Sequence, residues 1–320
     1  MNKKLVSLLL VVTLLFSITG CAAKEDTAKN TDSNAQIVET QEGSNTLPTN
    51  DRAGNEIKLP NKIETIISLA PSVTETLIDL GVTDKIIAID TNSVGCEGIS
   101  DKLPAFDLMN PDVEKMIALM PSVVFVSSIS LMDGQDPFKQ LEDLGICVIC
   151  IPTSDSIQGI EDDIYFLGEV IQNTKKSDEI IKTMQTQIDA IAAIGATIAD
   201  KKHVYFEIGA APSMYSFGSG VFLNEMIELI GATNVFADQE SWISVEAESV
   251  VNTNPDVILT NVNYIENPCD EISSREGFSG VKAVRDNQVY YIDNMASSLP
   301  NENIVTALQE MAKAVYPDLY

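Results

Sequence analysis

Asp112-Val113-Glu114-Lys115-Met116-Ile117-Ala118-Leu119-Met120-Pro121 leads into the apolar run Val123-Val124-Phe125-Val126, and the same design returns in the other half of the chain. There Glu246-Ala247-Glu248-Ser249-Val250-Val251-Asn252-Thr253-Asn254-Pro255 leads into Val257-Ile258-Leu259. Each reads as a short helix, a proline stop and a buried strand. Val113, Met116, Ile117 and Met120 make an apolar stripe at i, i+3, i+4 and i+7, the spacing of one helix face. Ala247, Val250 and Val251 repeat that spacing. Glu114 and Glu248 each follow the first stripe residue and stand seven positions before the proline. Both are therefore expected off the core face, near a helix start. Any α/β protein reuses such units, but their recurrence in two halves predicts a two-lobed protein with one acidic knob per lobe.

Outward from these units, strands and helices alternate from residue 51. Asp51-Arg52-Ala53-Gly54-Asn55-Glu56 reads as a small hairpin turn, and Thr65 to Leu69 as a strand. Ser72 and Glu75 have the capping-box spacing of a helix start; that helix runs to Leu80 and stops at Gly81. Strands are expected over Lys85 to Asp90, Val123 to Ser127 and Ile146 to Ile151, with a helix over Pro137 to Leu144. Ser156 to Ala199 is helical in composition, with a break at Gln172-Asn173. Beyond it come strands over His203 to Ile208, Val257 to Thr260 and Gln288 to Ile292, and helices over Val221 to Ile230 and Glu302 to Val315. Strands separated by helices imply parallel sheets with helices on both faces. The expected class is α/β: two lobes, each a mostly parallel sheet flanked by helices, joined by a long helical spine. The lobes span 51–155 and 201–320, and the connecting helices 156–200.

The N-terminus places such a protein outside the cytoplasm. Lys3 and Lys4 precede the apolar run Leu5 to Phe16, and the segment closes as Ile18-Thr19-Gly20-Cys21. A basic start, a short apolar core and small residues at the cut make residues 1–20 a secretory signal. The run is short for a membrane span. A cysteine at this place resembles the bacterial lipobox, whose thiol is lipidated and becomes the mature N-terminus; Cys21 is the expected lipidation site and the cell membrane the expected location. Residues 21–50 are polar and nearly free of large apolar side chains. Such a segment buries too little surface to offset its ordering entropy, so it reads as a tether with a reach on the order of 30 Å.

Lys3 and Lys4 are the only charged residues of the first 20, so 18 of the 20 basic residues remain in the mature chain against 47 acidic ones. Nucleic acid and anionic headgroups are poor partners for this surface; cationic sites on a membrane complex fit it. Arg52, Arg275 and Arg285 are the only arginines. Cys147 and Cys150 have a redox-like spacing, but they lie in the apolar run Ile146 to Ile151. Three residues along a strand separate Cα atoms by about 10 Å, beyond the roughly 7 Å a disulfide spans, so both read as buried thiols. A single histidine, His203, leaves no zinc site in prospect, and neither a metal nor a cofactor is expected.

The segment Ile66-Ile67-Ser68-Leu69-Ala70-Pro71-Ser72-Val73-Thr74-Glu75-Thr76-Leu77, with Leu80-Gly81 and Lys85 to Asp90, resembles the opening lobe of substrate-binding proteins of the vitamin B12 and iron-siderophore ABC importers. Gly218-Ser219-Gly220-Val221-Phe222-Leu223-Asn224-Glu225-Met226-Ile227 and Gly231-Ala232-Thr233-Asn234-Val235 resemble their second lobe, and Asn287-Gln288-Val289-Tyr290-Tyr291-Ile292-Asp293 their last strand. The likeness covers roughly residues 49–320. It implies ligand held in a cleft between two lobes with little hinge closure, and one exposed glutamate per lobe docking onto arginines of the permease. Glu114 and Glu248 match those positions. Ser298-Leu299-Pro300-Asn301-Glu302-Asn303, before the final helix, departs from many relatives.

The cleft is expected at the carboxyl ends of the strands, where open sheets bind ligands. Ser72, Asn92, Ser128, Ser130 and Met132 are the candidates from the first lobe; Tyr215, Phe217, Trp242, Asn263 and Tyr264 are those from the second. Trp242, the only tryptophan, is expected in a loop, against the ligand or packed on its own lobe. A largely neutral cleft of aromatics and hydroxyls suits a corrinoid such as cobalamin or a ferric siderophore; haem is the alternative, with Tyr215 and Tyr264 as its ligands. A different class is an extracellular enzyme or a sensor lipoprotein on the same fold. Against an enzyme, the chain holds no Gly-x-Ser-x-Gly elbow, HExxH or phosphate loop.

Overall fold

The computed structural model describes residues 47–130 and 136–320. The signal, Cys21, most of the tether and Met132 lie outside the described residues.

The first lobe is a five-stranded sheet of β1 (Ile66–Leu69), β2 (Ile86–Asp90), β3 (Ala105–Phe106), β4 (Val123–Ser127) and β5 (Cys147–Ile151). All neighbours pair in parallel in the order β3-β2-β1-β4-β5. Every residue of β1 and β4 is buried, as expected when helices cover both faces of a parallel sheet. Those helices include α1 (Pro71–Asp79), α2 (Val113–Ala118) and α3 (Lys139–Asp143).

Two helical expectations need correction. Ser72 and Glu75 do not form a capping box: α1 starts at Pro71, its N-cap is Ala70, and no side chain caps it. Proline at the first position supplies the start instead, and Glu75 is used elsewhere. Met120 does not belong to the buried stripe. Helix α2 ends at Ala118, and Met120 is left-handed (φ 48) and 80% exposed.

The spine is two helices, α4 (Ile157–Val170) and the 22-residue α5 (Thr174–Gly195), broken at Gln172, whose φ is 60. Ser156 caps α4 by accepting from the Gly159 amide. Helix α4 belongs to both cores. Ile160 and Ile164 pack with the second lobe, whereas Phe166, Leu167 and Val170 pack with the first. Sliding the lobes apart would expose both contact sets.

The second lobe contains β6 (His203–Glu207), β7 (Tyr215–Phe217), α6 (Phe222–Leu229), β8 (Thr233–Asn234), β9 (Trp242–Ser244), α7 (Ala247–Thr253), β10 (Val257–Thr260), α8 (Pro268–Ser274), α9 (Lys282–Arg285), β11 (Val289–Tyr291), α10 (Asn294–Ser298) and α11 (Ile304–Val315). Its main sheet is parallel, in the order β11-β10-β6-β8. Laid on the first lobe, β6 answers to β1, β8 to β2, β10 to β4 and β11 to β5. The antiparallel ribbon β7–β9 is an addition that the sequence reading missed; it moves Trp242 from a loop into a strand. Gly195 ends α5 where a Cβ would collide with the Leu229 carbonyl, which lets the spine close onto the end of α6.

Candidate functional site

Each sheet reverses its winding between its first strand and a later neighbour, β1 with β4 and β6 with β10. Ligands of open sheets bind at the carboxyl ends beside such switch points. In the first lobe these ends supply Ser72 on α1 and Ser128 and Ser130 after β4. Ser128 is exposed, Ser72 half-buried and Ser130 buried. A buried polar network fixes the neighbouring loop. Asp90, at the end of β2, accepts from the Asn92 and Ser93 amides at 2.8 and 3.2 Å and from the Ser93 hydroxyl. Ser93 in turn meets Thr74, which donates to Ser68 at 2.8 Å. Burial raises the Asp90 carboxyl above its ordinary pKa, while these bonds pull it back. The network leaves Asn92 exposed at the rim.

In the second lobe, the Tyr264 hydroxyl accepts from the Ala210 amide at 2.7 Å. One side chain thus ties the loop after β6 to the loop after β10. Tyr215 bridges to Gly209 and is half-exposed; Asn263 is exposed beside Tyr264. Trp242 is 47% exposed and meets Phe217 edge-on, with ring centroids 6.0 Å apart. Phe217 is fully buried against Phe206 and Trp242. Phe217, expected to line the cleft, instead belongs to the hydrophobic core of the second lobe, where it backs Trp242.

A cavity of about 630 Å³ lies between the lobes, lined by Glu75, Asp79, Asn92, Cys96 and Glu97 from the first and by Met295 and Asn303 from the second. Of these only Asn92 was nominated from sequence. The signal for the rest was weak: Gly95 and Gly98, both left-handed, mark the turn that carries Cys96. Burial and the nearby Glu75 carboxylate push the Cys96 thiol up to about 11, so it is protonated at neutral pH.

Among the described residues no lysine, arginine or histidine lines this cavity. Arg275 is 8% exposed and forks onto Glu207 at 2.8 and 3.0 Å, and it also grips Glu271. Arg52 holds Asp163 at 2.6 Å, and Arg285 donates to the Gly280 carbonyl. The fold does not gather the three. His203 opens β6, at the amino end of its sheet, with its ring 3.4 Å from Asp256; the cleft is at the other end. Among the described residues there is no cluster of three or more metal-ligating side chains. Cys147 and Cys150 are buried on β5, free, and pushed up to about 11 by burial.

Glu114 and Glu248 are exposed and each is the second residue of its helix. Crossover helices run against their strands, so both helices begin on the carboxyl-end side that carries the cleft.

The chain belongs to the Periplasmic binding protein family, whose profile matches residues 66–296. It is 30% identical over 272 residues to the ABC transporter substrate-binding lipoprotein YvrC of Bacillus subtilis strain 168, covering 84% of this chain and 85% of that one. It is 25% identical over 306 residues to the molybdate-binding protein MolA of Haemophilus influenzae, covering 84% and 85%. Among solved structures it resembles a Staphylococcus epidermidis protein described as a possible iron-binding, periplasmic solute-binding protein. There the TM-score is 0.71 at 26% identity, over 80% of this chain and all of that one. It is thus a binding protein of the ABC importer class recognised from its motifs. Among the described residues no helix is long and apolar enough to cross a membrane.

Proposed function

We propose that this protein is lipid-anchored through Cys21 on the outer side of the cell membrane, captures a metal chelate in its interlobe cleft and delivers it to an ABC permease. The chelate is a corrinoid or a ferric siderophore, neutral or cationic overall. The observation that carries this is the charge of the cleft: carboxylates and amides line the cavity, exposed aromatics stand on the second lobe, and all three arginines are engaged elsewhere. An anionic chelate or a bare oxyanion would enter such a site without a counter-charge, which is costly. Tyr215, Trp242 and Tyr264 offer flat apolar area with polar tips, and Ser72, Asn92, Ser128, Ser130, Met132 and Asn263 offer hydrogen bonds and packing around it. Glu114 and Glu248 take no part in ligand binding and dock the two lobes onto cationic sockets of the permease. The lipoprotein description of YvrC supports the anchor.

The deciding experiment is a thermal-shift and tryptophan-fluorescence screen against cobalamin, cobinamide, haem and neutral, cationic and anionic ferric siderophores. A ligand that binds only the folded state raises the melting temperature by mass action. Stabilisation by corrinoids or neutral chelates supports the reading; stabilisation by anionic chelates or haem alone sinks it.

A further inference from the structure

Helix α1 and the loop between α10 and α11 come from opposite lobes, yet polar side chains join them. The Thr76 hydroxyl donates to Glu302 Oε2 at 2.7 Å. The Asn301 and Asn303 side-chain amides donate to Glu75 Oε2 at 2.7 and 3.0 Å. The Asn303 backbone N–H donates to Asn301 Oδ1 at 2.9 Å, which holds the loop in shape. Thr76 and Asn301 are buried. Glu75 and Asn303 also line the interlobe cavity, so this junction is one wall of the cleft. We propose that Glu75 and Glu302 are positioning residues of a proton-dependent clasp that sets the spacing of the two lobes.

The chemistry lies in what faces Glu302. Its Oε1 is shut off from solvent with no hydrogen-bond partner among the described residues. From α1 it faces Glu75 and Asp79, both acidic. From α5 it faces Lys176, Glu179, Thr183 and Gln187 across a hollow of about 360 Å³. Lys176 is the only cation there, against three other carboxylates. Burial pushes the Glu302 carboxyl up to about 7 from an ordinary value of 4.5, and the neighbouring acids add to the shift. The neutral acid fits; the ionised one puts a further negative charge beside Glu75 and Asp79. Linkage fixes the direction. The closed clasp holds the proton more tightly than the open one, so opening is favoured as pH rises from about 4.5 to about 7 and levels off above it. The consequence for ligand rests on the binding-protein reading, but the clasp itself does not.

Hydrogen exchange of the full chain in detergent, without ligand and corrected for the intrinsic pH effect, tests it at residues 74–80 and 301–306. Wild type is expected to show opening that grows by up to about tenfold per pH unit between pH 5 and 7 and then flattens. Glu302→Gln should stay closed and flat with pH, and Thr76→Val should open at every pH. Equal pH profiles for wild type and Glu302→Gln overturn the clasp. Should Glu302→Gln not fold, infrared titration of wild type decides. A protonated carboxyl band present at pH 6, gone by pH 8 and altered in Thr76→Val, which removes the hydroxyl bonded to Glu302, supports the proposal; the absence of any such band overturns it. Because no ligand enters, failure here leaves the binding-protein reading standing, and a failed ligand screen leaves the clasp standing.

Discussion

Glu114 and Glu248 occupy the same place in a duplicated design. Each is the second residue of its helix, six residues before a left-handed position and seven before a proline. Met120 (φ 48) and Asn254 (φ 45) are those left-handed residues, and β4 and β10 each begin two residues beyond the proline. The strands they enter sit beside the first strand of their own sheets, β1 and β6. Matching place, exposure and side chain are what a symmetric docking surface requires.

Glu114→Ala and Glu248→Ala should keep fold and ligand affinity while weakening coupling to the permease. Removing one member of a hydrogen-bonded interfacial charge pair can cost about 2–5 kcal/mol, much of it from the abandoned partner. The double variant should be worse than either single one, and Glu→Arg worse again. Ligand titration alongside reconstituted uptake in liposomes measures both. Normal uptake by the double variant removes the docking role.

Trp242 and Phe217 should separate binding from stability. Trp242 is half-exposed and Phe217 fully buried beneath it. Trp242→Ala should lose about 2 kcal/mol or more of ligand affinity, and ligand should quench the wild-type fluorescence, which has one source. Phe217→Ala should instead cost about 3–5 kcal/mol of stability. Fluorescence titration and denaturant melts of both variants check this; unchanged affinity in Trp242→Ala would take the indole out of the site.

Much of this fold was legible because its core elements are local and regular. Continuous apolar runs such as Val123 to Ser127 mark buried parallel strands, and Ser156 marks the start of the spine by its cap. The site was less legible. Phe217 and Trp242 are both aromatics near a turn and direct partners across the β7–β9 ribbon, and only the tertiary packing around it buries the first and leaves the second half-exposed. Glu75 looked like a local cap, whereas its partners Asn301 and Asn303 lie 226 and 228 residues away. No periodicity encodes contacts at that separation. The short elements α8 and α10 and the two-residue β3 and β8 carry too few residues for a repeat to register.

Cys21→Ala should release the protein from the membrane or leave its signal uncut. A single acyl chain binds only marginally, so stable anchoring needs the several chains of a lipoprotein. Detergent-phase partitioning reads this directly; a variant that partitions like wild type removes the anchor.

Arg275 should prove structural and not a ligand contact. It is sealed between Glu207 and Glu271, with its guanidinium 4.9 Å from the Phe278 ring centroid. Arg275→Ala leaves Glu207 buried and uncompensated, which typically costs about 3–5 kcal/mol. Arg275→Met combined with Glu207→Gln should recover much of that loss, because the charge penalty goes with the charges. Urea melts give the stabilities, and ligand affinity in the double variant should stay close to wild type. A selective loss of affinity for anionic ligands would return Arg275 to the binding site.

Glu302 gives the chain a stability profile with a definite sign. Its folded pKa of about 7 lies above the ordinary 4.5. Between those values the folded state holds a proton that the unfolded state has lost, so stability falls as pH rises through that window and is flat above it. At about 1.4 kcal/mol per pH unit, the full penalty is on the order of 3 kcal/mol. Glu302→Gln carries no such proton. Its stability relative to wild type should therefore climb between pH 5 and pH 7 and hold steady to pH 8.5. Urea melts of both proteins at half-unit pH intervals measure the difference. A difference that stays constant across the window would mean that Glu302 titrates like an ordinary surface carboxyl, and that neither the raised pKa nor the repulsion from Glu75 and Asp79 contributes to the junction between the lobes.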